Sequence, residues 1–136
     1  MSVDLRSAKQ STLDAMLDDL RRCIGALQDE CRVEVRLEEV VSFVPSHFAE
    51  DLVAHVRDAG ESLGHSHPDI VSGAGHDAAY MSRIAPTAMV FVPCAGGISH
   101  NELQSARPEH LAAGCGVLLH AVQRRAEARA APELPR

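Results

Sequence analysis

Aromatic residues are scarce in this chain, with no tryptophan, 1 tyrosine and 3 phenylalanines in 136 residues. A core must therefore be built from Leu, Val, Ile and Ala. Basic excess is lacking too. The 13 Lys and Arg face 19 Asp and Glu, a formal charge of −6, and the two signs are interspersed. Without a basic stripe or stacking side chains, nucleic acid is not an expected partner. No apolar run approaches the roughly 18 to 20 residues that a membrane span needs, so a membrane is not expected either. The opening MSVDLRSAKQ lacks the apolar stretch of a secretory signal. The 4 cysteines, Cys23, Cys31, Cys94 and Cys115, fall into no CxxC or CxxH pattern. They read as reduced thiols of a cytoplasmic protein.

What remains is enough for one modest core. Ser7 and Gln10 have the spacing of a capping box. Leu13, Met16, Leu17, Leu20, Ile24 and Leu27 then recur every three or four residues. That stripe predicts an amphipathic helix over residues 11–29. Residues 32–38 alternate instead, with Val33, Val35 and Leu37 on one side and charges on the other. Alternation predicts a strand with one wet face. The pattern changes character near residues 40–46, which places a domain crossing there.

Phe48, Leu52, Val53 and Val56 predict a second helix over residues 47–63, stopped by Gly64. A short helix is expected over residues 78–84. Residues 87–92, TAMVFV, form a continuous apolar run, as in a strand buried on both faces. Such a strand wants a neighbour on each edge, and few other segments here can supply one. Marginal stability or association is therefore expected. Pro108 opens a last helix whose core face would be Leu111, Cys115, Leu118, Leu119 and Val122. Beyond Ala126 the sequence has little to bury and reads as a frayed tail.

The chemistry-bearing residues cluster between Ser72 and His100. A Gly-rich loop with His76 and Asp77 precedes the apolar run, and a second Gly-rich loop, residues 94–100, follows it. Polar loops at strand ends are where α/β proteins present chemistry. From position alone, His100 is either a ligand or catalytic group or a structural histidine. Gly73 and Gly75 either let the backbone approach an anion or form a tight turn. His65 and His67 in GHSHP read as a polar loop, because no third ligand sits nearby. Cys94 reads as a small apolar filler, since sequence places no base beside it.

The runs SGAGHDAAYMSRIAPTAMVFVPCAGGISHNE and PEHLAAGCGVLL resemble the C-terminal part of the amidase/hydantoinase/carbamoylase family. Members include N-carbamoyl-L-amino acid hydrolases, β-ureidopropionases and allantoate or ureidoglycolate amidohydrolases. VDLR, the long helix and the alternating segment resemble the end of that family's lid domain, which also mediates dimerisation. The likeness runs from about Val3 to Ala126.

The resemblance implies an α/β fold: a partial zinc-aminopeptidase-like catalytic domain preceded by the end of an α+β lid. Residues 1–45 would be the lid remnant, 46–128 the catalytic segment and 129–136 a disordered tail. His100 matches the family's last metal ligand. Arg6 matches the lid arginine that grips the substrate carboxylate, a task suited to a planar guanidinium. Gly75 matches the loop lining that carboxylate pocket, with His76 as a further substrate-binding candidate. His76 and Asp77 alternatively organise the loop. The expected cofactor is a dinuclear zinc centre, with manganese, cobalt or nickel as substitutes.

A typical member is about three times this length. The resemblance implies that the other metal ligands and the Glu general base belong to a front portion outside these residues. Gln104 stands where many members carry Glu. The chain alone is thus expected to be inactive. Three readings follow: a truncated product, one subunit of a split enzyme completed by a separate N-terminal polypeptide, or a dimerising module that reuses the lid surface.

Overall fold

The computed structural model describes residues 1–130. Among them the regular elements are α1 (Gln10–Cys31), α2 (Glu50–Ser62), α3 (Asp77–Met81), a 3-10 turn (Ala95–Gly97) and α4 (Pro108–Ala130). The backbone divides into two units. One comprises Met1–His47 with Val71–Gly75, the other Phe48–Ile70 with the residues from His76 onward.

In the first unit, α1 follows the apolar periodicity. Leu13, Met16, Leu17, Leu20 and Ile24 are half-buried, while Leu27 stays 45% exposed. The expected capping box does not form. Lys9 is the N-cap and no side chain caps the helix. Ser7 Oγ accepts from the Lys9 N–H, and Gln10 Nε2 donates to Asp14 one turn on. A local turn bond and an i,i+4 pair thus use both groups that a box would need. Arg32 ends the helix in the left-handed region, at φ 52°.

No strand occurs among the described residues, which corrects the α/β expectation at two places. Residues 32–38 keep their alternation, yet Val33, Val35 and Leu37 are all exposed. The Val35 N–H goes to the side-chain carbonyl of Gln28 rather than to a ladder. Residues 87–92 are likewise unladdered. A strand exists only by pairing, so an apolar run without a partner chain cannot become one.

The second unit is organised by α2 against α4. Ala59, Val117 and Ala121 are buried, with Val56, Leu63 and Val90 packed around them. Small residues make the approach close. A side chain at Gly116 would already touch Leu63 at 3.6 Å. Arg124 pairs with Asp58 at 3.3 Å and Arg125 with Asp51 at 2.8 Å, joining the two helices at the surface. Gly64, at φ 73°, supplies the left-handed residue after α2.

The face of α4 turned to α2 is not the one the periodicity selects. Val117 and Ala121 are inside, whereas Leu111, Leu118, Leu119 and Val122 are 50–58% exposed and Cys115 is exposed. Bulky side chains mark the helix's most apolar face, but a small-residue face packs closer to another helix. α4 also runs to Ala130, past the expected end near Ala126. The rest of the expected tail, 131–136, lies outside the described residues. No helix among those described is long and apolar enough to cross a membrane.

Candidate functional site

Arg6 is fixed from both ends of its guanidinium. Nε and Nη2 donate to Asp4 Oδ2 at 2.9 and 2.5 Å, and Nη1 donates to the Gly73 carbonyl at 2.8 Å. The last bond spans 67 positions of sequence and ties Arg6 to the first Gly-rich loop. The hydrogen bond and charge of Arg6 hold the Asp4 carboxyl below its ordinary range, and Asp4 in turn raises Arg6. In the same loop, Ser72 Oγ accepts from the Ala74 N–H at 3.2 Å. Gly75 is exposed, and a Cβ there would meet nothing within 4 Å.

His76, in the second unit, is extended at φ −133° and precedes α3. Its carbonyl accepts from the Ala79 N–H at 2.9 Å. α3 is a single turn of 5 residues, too short to sum a macrodipole, so it gives no anion site. The His76 ring stands edge-on to Phe91 with centroids 5.4 Å apart, and tilted to His100 at 5.9 Å. Phe91 belongs to the apolar run, so that run carries one wall of the histidine pair.

His100 is exposed and left-handed, at φ 53°, directly after a turn whose Gly96 and Gly97 are also left-handed. Histidine visits this region more readily than most residues, but at a cost. Gln104 offsets it: its Oε1 accepts from the His100 N–H at 2.7 Å. A neutral amide thus fills an acceptor role at the position where the resemblance expects a carboxylate. The loop is closed by Ala95 N–H to the Ser105 carbonyl at 2.7 Å.

Two sequence candidates sit elsewhere. His67 Nδ1 lies 3.0 Å from the His65 carbonyl, and its Nε2 lies 4.0 Å from Glu61. Its ring packs on Gly60, so the HxH pair is part of the α2 exit. Cys94 is half-buried before the 3-10 turn. Among the described residues no group of three or more His, Cys, Asp or Glu could hold a metal ion.

Sequence reasoning missed Asp4 and Phe91. Asp4 was open to inference, since residues two apart share a side of an extended segment. Phe91 was not, because its contact with His76 depends on how the loop returns.

The profile of peptidase family M20/M25/M40 matches residues 6–124, from Arg6 through the whole Gly-rich region. The chain belongs to this family. Its M20 relatives include an N-carbamoyl-L-amino-acid amidohydrolase of Rhizobium meliloti, 44% identical over 126 residues, which are 93% of this chain and 30% of the relative. An allantoate amidohydrolase of Bacillus subtilis is 33% identical over 108 residues, 78% of this chain and 26% of the relative. Among solved structures, an amidase of the hydantoinase/carbamoylase family from Burkholderia multivorans superposes with a TM-score of 0.84 at 44% identity. It is matched over 88% of this chain and 29% of its own. The chain thus spans under a third of the length of each of these proteins.

Proposed function

We propose that this chain supplies the substrate-carboxylate grip and one metal ligand of an M20 hydrolase acting on linear amide or ureido C–N bonds. The substrates would be N-carbamoyl amino acids or related ureido compounds. The observation that carries the reading is Arg6 bonded to the Gly73 carbonyl, beside Gly75, within a chain 44% identical to an N-carbamoyl-L-amino-acid amidohydrolase. A guanidinium already aimed by Asp4 and Gly73 costs less entropy to present to a carboxylate. Gly75 adds an open backbone position, and His76 a polar ring near His100.

A metal such as zinc would supply a polarised, activated water in such a hydrolase. The described residues do not fit a metal centre by themselves. His76 and His100 form a pair, and a hydrolytic zinc needs three protein ligands. The chain alone is expected to be inactive.

The test is a chimera. The matching stretch of the Rhizobium meliloti amidohydrolase is replaced by this chain. The expected result is hydrolysis of N-carbamoyl amino acids, with a raised KM in the Arg6→Ala form. A folded chimera with no such activity overturns the reading, as does turnover by the 136-residue chain alone. A homodimer through residues 1–45 is a second reading, favoured by the exposed Val40, Val41, Phe43 and Val44. Its test is the chain's mass in solution.

A further inference from the structure

His100 stands at the apex of a loop whose two ends face each other. The Ala95 N–H donates to the Ser105 carbonyl at 2.7 Å, and His100 lies midway between those two residues in sequence. Pro93 and Arg107 are the next pair outward in the same antiparallel register. Proline has no N–H, so Pro93 can only accept there. A side chain supplies the donor. His110, in the first turn of α4, has Nδ1 3.4 Å from the Pro93 carbonyl and Nε2 2.6 Å from Arg107 Nη2. One half-buried imidazole thus touches both ends of the loop. A guanidinium only donates, so Nε2 accepts from Arg107 and the ring proton sits on Nδ1, which donates to Pro93. A charged ring has no lone pair left for Arg107, so this bridge exists only with a neutral imidazole. Glu109, 3.3 Å from Arg107 Nε, holds the guanidinium from its other side.

We propose that His110 is a positioning residue for His100: its neutral Nδ1–H form clasps Pro93 to Arg107 and so fixes the base of the loop that presents His100. Gln104 holds the apex from inside, through the His100 N–H, and His110 holds the ends. The left-handed His100 needs both, because a strained residue keeps its conformation only when its surroundings over-determine it. A ring free on the surface would use at most one nitrogen on the protein; here the two nitrogens go to opposite ends of one loop. The importance of His100 rests on the proposed function, whereas the clasp is a property of this chain alone.

The experiment starts with the whole chain, labelled with nitrogen-15, at about pH 8, where imidazoles are ordinarily neutral. Long-range nitrogen–proton spectra should show His110 protonated on Nδ1, and Arg107→Ala should bring in the Nε2–H form. A parent His110 protonated on Nε2, or on both nitrogens, overturns the proposal. Amide exchange then reads the loop. His110→Ala should speed exchange of the Ala95 amide by roughly threefold to tenfold, with helix content unchanged. His110→Asn keeps a donor for the Pro93 carbonyl and should restore most of that protection. An Ala95 amide indifferent to His110→Ala overturns the proposal, as does an Asn variant no better protected than the Ala variant. In the chimera with the Rhizobium meliloti amidohydrolase, His110→Ala should lower kcat severalfold and leave KM nearly unchanged, because Arg6 is untouched. An unchanged kcat there overturns the positioning role. An inactive parent chimera counts against the functional reading only, since the spectra and the exchange rates still decide the clasp.

Discussion

Asp4 takes up two of the three Arg6 nitrogens, at 2.9 and 2.5 Å, on an exposed stretch just ahead of α1. The third points to the Gly73 carbonyl. The carboxylate of Asp4 therefore holds one fork of the guanidinium and sets its orientation.

This pair should titrate visibly. The hydrogen bond from Arg6 lowers the Asp4 pKa, so the paired form persists above the ordinary carboxylate value of about 4. It is lost as the pH falls through the lowered value. An NMR titration of the Asp4 carboxyl should give a midpoint below that of an unpaired Asp, and Arg6→Ala should return it to the ordinary range. An unshifted midpoint in the parent chain would mean that the pair does not persist in solution. Both partners are solvent-exposed, so little change in global stability is expected.

Glycines on the helices should separate by what surrounds them. A Cβ at Gly25 meets nothing within 4 Å, so Gly25→Ala should stabilise α1 by about 0.5–1 kcal/mol. A Cβ at Gly114 would stand 2.5 Å from Val92 Cγ1. Gly114→Ala gains the same helix propensity but must displace a stiff β-branched side chain, at roughly 1–3 kcal/mol. Its net effect should be a loss of up to about 2 kcal/mol, read by urea unfolding. Equal effects at the two sites would mean that residues 87–92 do not rest on α4.

Gln104 should matter to His100 through acceptance, not charge. Gln104→Ala removes the acceptor of the His100 N–H. That amide should then exchange faster, and the left-handed turn should loosen. Gln104→Glu keeps an acceptor oxygen and should preserve protection. If Gln104→Ala leaves exchange at His100 unchanged, the turn is held by the glycines alone.

Zinc titration of the chain by itself should show no stoichiometric high-affinity uptake. Among the described residues the only ring pair near His100 is with His76, and two ligands leave a divalent ion mostly hydrated. Calorimetry with zinc, before and after His100→Ala, checks this. Tight binding lost in His100→Ala would show that two histidines suffice.

Much of the local structure was open to reading in the sequence. Leu13 to Ile24 announced α1, Gly64 announced the end of α2, and Pro108 announced the start of α4. The second Gly-rich loop was legible as a tight turn, because few residue types tolerate the left-handed conformation seen at Gly96 and Gly97. Residues 32–38 and 87–92 were legible only as what they could become. Their patterns are those of strands, but pairing is a property of two segments, and among the described residues neither is paired.

Sequence alone set the helices, the glycine-rich turns and the resemblance, because periodicity, helix-ending residues and glycine positions act within a few residues. Tertiary structure decided which surfaces meet. It turned the small residues Ala59, Val117 and Ala121 inward and left the bulkier α4 stripe open. It also placed Asp4 on Arg6 and Phe91 on His76. Short-range steric and hydrogen-bonding rules cannot fix such choices, since close packing depends on the shape of both partners.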